Sequence, residues 1–273
     1  MRRLRYKNDM SVDAAQNPLA LDPRSVAELV RASLRDNEHA AWDAVGALHW
    51  RGTREVLNAA RNLCRSDDPF RRARGADILG QLGIPDRTFP NECFASLSDL
   101  LAESDDRVLF SVILALQHLD RIRAAPLVLP FMHHVNDNIR YAVAVALGSI
   151  ESEDAIEALL ALMMDRDGEV RNWATFGLGQ QSDADSPTIR TALANRLDDR
   201  DEDVRYEAIC GLGRRGDDRA IPFLKTLLHD DPDDIFAREA AAKLVGLEVG
   251  HDSSTSDLLG VLQRRQRWIR RFR

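Results

Sequence analysis

Aromatic residues supply only 6% of the 273 positions, and three of the 37 basic residues are lysine (Lys7, Lys225 and Lys243). A core with so few large rings must pack through small and aliphatic side chains. Cysteine occurs three times, at Cys64, Cys93 and Cys210, far apart and without a C-x-x-C pair. This excludes a disulfide framework or zinc knuckle and favours free thiols in a reducing compartment. No stretch approaches the roughly 18 apolar residues of a membrane span. The basic opening M-R-R-L-R-Y-K runs into Asn8, Asp9, Ser11 and Asp13, where a signal peptide needs an apolar run. A cytoplasmic location is therefore expected.

Catalytic signatures are missing as well. There is no G-x-S-x-G, no S-x-x-K and no Gly-rich phosphate loop. His133 and His134 are adjacent and point about 100° apart on a helix, unlike the i, i+4 pair of H-E-x-x-H. Asp165-x-Asp167-Gly168 lacks the rest of a calcium loop and its closing Glu. No catalytic residue, cofactor or metal ligand is expected, and the acidic clusters read as helix caps.

What is present is a repeat. The run Asp201 to Gly213, D-E-D-V-R-Y-E-A-I-C-G-L-G, recurs in seven copies anchored on Ala40, Arg71, Val108, Ile139, Val170, Val204 and Ala237. Three residues before the anchors stand Asn37, Asp68, Asp105, Asn136, Asp167, Asp201 and Asp234, all side chains that accept from free N–H groups of a first helical turn. Eight residues after them stand Leu48, Leu79, Leu116, Leu147, Leu178, Leu212 and Val245, all aliphatic. The next position holds Gly80, Gly148, Gly179, Gly213 and Gly246, read as helix ends. One residue after the anchors stand Arg72, Arg140, Arg171, Arg205 and Arg238, which can reach an Asp of a neighbouring repeat and form an Arg–Asp ladder.

The pattern D-x-x-V-R-x-x-x-A-x-x-x-L-G resembles the second helix of HEAT repeats, and the anchor spacing of 31 to 37 residues resembles the short type named after phycobilisome lyases. The resemblance covers residues 23 to 247 and implies an all-α fold, an α-solenoid of about seven HEAT-like helix pairs. Expected helices include 106–119, 125–135 and 168–180. Three parts are expected: a flexible basic arm over 1–22, the repeat solenoid over 23–250, and a basic amphipathic helix over 251–273 that caps the last pair through Leu258, Leu262, Ile269 and Phe272. Arg265 interrupts that apolar stripe.

The net charge is −7, but residues 1–7 hold four basic side chains and residues 264–273 hold six. Without these ends, 27 basic side chains face 44 acidic ones, a net of −17. Two positions after each anchor, turned about 200° from it, come Trp42, Ala73, Phe110, Tyr141, Asn172, Tyr206 and Glu239; six after it come Leu114, Val145, Phe176 and Cys210 among others. The family resemblance places the second helices on the concave side. The expected binding face is therefore Trp42, Phe110, Leu114, Tyr141, Val145, Asn172, Phe176, Tyr206 and Glu239. An apolar, aromatic stripe of this kind suits a partner. The reading that follows is a non-enzymatic scaffold or adaptor for a protein partner, with the acidic body favouring a basic one. A second reading, implied by the resemblance, is a phycobilisome-lyase-like enzyme or chaperone handling a tetrapyrrole. A third, a HEAT-like nucleic-acid-binding protein or glycosylase, is disfavoured because phosphates require a basic groove. The oligomeric state is not legible.

Overall fold

The computed structural model describes residues 17–247 and 254–272. The arm expected over 1–22 lies largely outside the described residues. The chain is an all-α solenoid whose contacts divide it into two compact units, one ending at Val128 and the other beginning at Leu129.

The first unit contains α1 (Val26–Ser33), α2 (Glu38–Arg51), α3 (Arg54–Cys64), α4 (Pro69–Gly80), α5 (Pro90–Asp99) and α6 (Asp106–Val128). Helix α1 begins at a capping box. Glu28 N–H donates to Ser25 Oγ at 3.3 Å, and Ser25 N–H donates to the Glu28 carboxylate at 2.8 Å. The core is aliphatic, with Leu29, Leu48, Leu57, Leu79, Leu97 and Leu116 fully buried. Helix α6 is broken at Asp120, whose φ of −159° and ψ of 91° are not helical. The helix expected over 125–135 therefore starts earlier, because Asp120 caps it by accepting from Arg123 N–H at 3.0 Å.

The second unit opens with a 3-10 turn, Leu129–His133, followed by α7 (Asp137–Leu147), α8 (Glu153–Leu162), α9 (Gly168–Phe176), α10 (Pro187–Ala194), α11 (Glu202–Arg214), α12 (Ile221–Asp230), α13 (Ile235–Val245) and α14 (Thr255–Phe272). Helix α9 stops short of the expected residue 180 and continues as a π-helical turn, Gly177–Gln181. Arg215 holds that turn open. Its guanidinium donates to the carbonyls of Leu178, Gly179, Ser182, Ala184 and Gly211, so the backbone acceptors released from the α-helical ladder stay satisfied.

The repeat columns explain how the pairs are fastened. All seven Asp or Asn side chains of the cap column accept from a first-turn N–H. Six of the seven aliphatic positions are fully buried, Leu48 through Leu212, while Val245 at the last copy is half-buried. The arginine column forms rungs. Arg140 grips Asp165 with two bonds of 2.7 and 2.8 Å, and Arg171 grips Asp199 with two of 3.0 and 2.8 Å. Arg72 reaches Glu103 at 2.9 Å. Each acid stands two residues before the next repeat's cap, and each arginine also donates to the carbonyl two residues before its own cap (Ser66, His134 and Asp165). Arg205 keeps the carbonyl bond, to Asp199 at 2.7 Å, but the position its carboxylate would occupy is Pro232. Burial raises the Asp165 and Asp199 carboxyls; the facing arginine and the N–H of Asp167 or Asp201 outweigh it, holding both below the usual carboxylate range.

The glycine column meets the expectation of helix ends only in part. Gly246 alone among the five has a positive φ, +72°, and ends α13 in the left-handed conformation. Gly148 is the C-cap of α7 and Gly80 the last residue of α4, so both are helix ends as expected, and these two together with Gly179 and Gly213 are also close-approach positions. A Cβ at Gly213 would stand 2.9 Å from Ala240 Cβ and 3.0 Å from its carbonyl oxygen, and one at Gly80 would stand 2.8 Å from Ala115. Gly213 lies inside α11, so its small size serves helix packing rather than termination.

Candidate functional site

In the first unit, α2, α4 and α6 bring together Trp42, Arg74, Asp77 and Ser111, while the expected Phe110 and Leu114 also lie on α6. Trp42 is 46% exposed, whereas Phe110 and Leu114 are half-buried. The Arg74 guanidinium stacks 4.7 Å from the Trp42 ring centre and 5.6 Å from that of Phe70. It also lies 3.3 Å from Asp77 Oδ2. Burial pushes the Asp77 carboxyl up to about 6, against the opposing pull of the Ser111 hydroxyl and the Arg74 charge. Beneath it, burial pushes the His49 ring down to about 4, so the neutral ring donates Nε2–H to the Asp77 carbonyl oxygen at 2.9 Å. Sequence reasoning did not place Arg74 here. Its signal was a buried cation three positions after the anchor, close to two aromatics.

In the second unit, α7 and α9 present an aromatic run. Tyr141 meets Trp173 edge-on at 5.7 Å, and Trp173 meets Phe176 edge-on at 5.6 Å. Val145 and Asn172 flank the run, and all five side chains are half-buried. Asn172 Oδ1 is shielded from solvent and has no hydrogen-bond partner among the described residues. Trp173 was missing from the expected face because it lies one position, or about 100°, beyond the chosen column.

The remaining expected residues behave differently. Tyr206, expected to line the exposed stripe, is buried at 8% exposure, and its hydroxyl donates to both Asp234 oxygens, at 2.8 and 3.0 Å. The cause is the next repeat's cap: Asp234 also receives the N–H groups of Phe236 and Ala237, and the phenol completes its shell. Cys210 is fully buried too. Glu239 is half-buried and ion-paired, 2.5 Å from Arg214 and 3.7 Å from Lys243.

Reactive chemistry finds few handles. All three cysteines are free and buried, and burial pushes the Cys64 thiol up to about 12 and that of Cys93 to about 11. Among the described residues, no three His, Cys, Asp or Glu side chains converge as metal ligands, and no helix is long and apolar enough to cross a membrane. A cleft of about 530 Å³ in the second unit lies at its loop edge around Met132, Val135 and Leu162, with the already satisfied Arg140–Asp165 pair in its wall.

These features define a class, and comparison with known proteins gives it a family. A model of HEAT repeats matches residues 94–179 and 165–245, so the chain belongs to the HEAT-repeat proteins. It is 30% identical over 139 residues to Protein YibA of Escherichia coli (strain K12), covering 48% of this chain and 49% of that protein. The chain thus aligns with about half the length of this curated relative. The X-ray structure of the E. coli YibA superposes with a TM-score of 0.70 at 25% identity, over 88% of this chain and 93% of that one. An engineered protein of known structure reaches 0.50 at 17% identity, over 76% and 96%, a likeness of fold alone.

Proposed function

We propose that the protein is a non-enzymatic HEAT-repeat scaffold that holds a protein partner on the outward face of its second helices. The observation that carries this reading is the Tyr141–Trp173–Phe176 run, three half-buried rings in contact within a chain that has few aromatics. Rings packed edge-to-face lose little side-chain entropy on binding, and such clusters are typical anchor points. The orphaned Asn172 Oδ1 beside them supplies an acceptor for a partner N–H. The partner is basic, because the chain without its basic ends carries −17. Glu169 at the start of α9 points the same way. Its carboxyl is raised first by burial and then by the neighbouring Asp201, Asp203 and Asp167, a crowding that an arriving cation relieves.

The test is affinity capture from lysate with the wild type and a Tyr141→Ala/Phe176→Ala variant whose melt is verified. A partner enriched by the wild type is expected to be depleted at least about tenfold by the variant, the scale of one lost anchor residue. Equal capture by both proteins removes this face from the reading.

A further inference from the structure

Helix α14 has two faces with different work to do. Leu258 and Leu262 are buried against the last repeat. Arg265, which the sequence suggested would spoil the apolar stripe, points the same way: it pairs with Asp218 at 2.6 Å and donates to the Leu244 carbonyl near the end of α13. Lys225 of α12 holds Gln266 at 3.0 Å. These contacts fix the rotation of the helix, so the opposite side is presented outward in one orientation. On that side stand Gln263, Arg264, Arg267, Arg270 and Arg271, all exposed, with Trp268 at the edge, 63% exposed.

Arg264, Arg267 and Arg271 follow an i, i+3, i+7 course along about 10 Å of helix, with Arg270 alongside. No acidic residue occurs between Leu258 and Arg273. Among the described residues no carboxylate pairs with Arg264, Arg267 or Arg270. The outward face is thus a strip of cations beside an aromatic ring, attached to an acidic body.

We propose that this outward face of α14 binds the phosphate backbone of single-stranded nucleic acid, with Trp268 stacking on an unpaired base. Guanidinium forks match phosphate oxygens two at a time, and an exposed indole accepts any base on its face. An anionic membrane fits less well, because an interfacial helix must give its apolar side to the lipid, and here Leu258 and Leu262 are already spent on the repeat. An acidic protein fits less well, because the strip has no apolar centre around which an interface could close. A duplex would bring many phosphates against the −17 body, whereas a single strand can follow the helix alone.

The experiment is fluorescence anisotropy of the full chain with a labelled mixed-sequence single-stranded oligonucleotide, titrated at several salt concentrations. Phosphatidylserine vesicles and polyglutamate serve as parallel probes. Binding should weaken with salt, with log K falling by about 0.7 per tenfold salt for each phosphate engaged. The Arg264→Ala/Arg267→Ala/Arg270→Ala variant should keep the wild-type melt, lose about tenfold or more in affinity at low salt, and show a slope shallower by about 2, the share of three phosphates. Trp268→Phe should remove the tryptophan quenching that the oligonucleotide causes. The proposal is overturned if the oligonucleotide does not bind at low salt, if the triple variant binds as the wild type does, or if vesicles or polyglutamate bind more tightly than the oligonucleotide.

Discussion

Asp77 is the residue at which burial and charge are most at odds. It sits on the outward side of α4 among Arg74, Ser111 and Trp42, yet its surroundings raise the carboxyl to about 6 from a model-peptide value near 3.8. The folded chain therefore binds this proton more tightly than the unfolded chain does. Stability from this group is fully present below about 4, falls as pH rises from about 4 through about 6, and is flat above. The sign is opposite to that of Asp165 and Asp199, whose depressed carboxyls support the fold at neutral pH and fail it only in stronger acid, as pH falls through their folded values. In a thermal melt, lowering the pH from 7 to 5 should accordingly add about 1 kcal/mol through Asp77, set against an opposing loss through His49, whose buried ring at about 4 resists the charging that the unfolded chain permits. Asp77→Asn should abolish most of that gain. A variant with the same pH slope as the wild type would mean that the Asp77 carboxyl titrates normally.

The elements show how much was legible before any coordinates. The seven caps were readable because an Asp or Asn side chain meets an N–H two or three residues further on, entirely within the local sequence. The break at Asp120 was legible as the end of the helix expected over 106–119, but the early start of the next helix was not, since its cap is Asp120 itself and not a residue of the repeat column. Tyr206 was misplaced for another reason: its partner Asp234 lies 28 residues away in the next repeat, so no helical wheel of α11 could show that the ring turns inward. The glycine column was ambiguous in principle, because a helix terminator and a close contact between helices select the same residue. Gly213 distinguishes the two uses. An added methyl would press on Ala240 Cβ and its carbonyl at 2.9 and 3.0 Å and on Leu224 at 3.0 Å, all buried. Gly213→Ala should therefore destabilise by about 1–3 kcal/mol through overpacking, although alanine is the better helix former. A neutral or stabilising result in a denaturant melt would show that α11 and α13 can separate to admit it.

At the scale of the whole molecule, a repeat array leaves an uncovered apolar side wherever it stops, and the described chain ends with α14 laid over α12 and α13. The contact is short but firmly keyed: Leu258 at 2% and Leu262 at 0% exposure supply the apolar part, and Arg265 supplies hydrogen bonds to Asp218 and Leu244. Burying two leucines is worth about 3–6 kcal/mol before the entropy of ordering the helix is subtracted. Ile269 is only half-buried, so the distal turns contribute less to this attachment than Leu258 and Leu262 do. Truncation after His251 should lower the melting temperature and expose enough of α12 and α13 to promote aggregation, whereas the triple arginine substitution on the outward side should leave the melt unchanged. The pair of results tests the division of labour across one helix. If truncation leaves the melt unchanged, the inner side does not hold the last repeat, and α14 is an attachment to the solenoid rather than its cover.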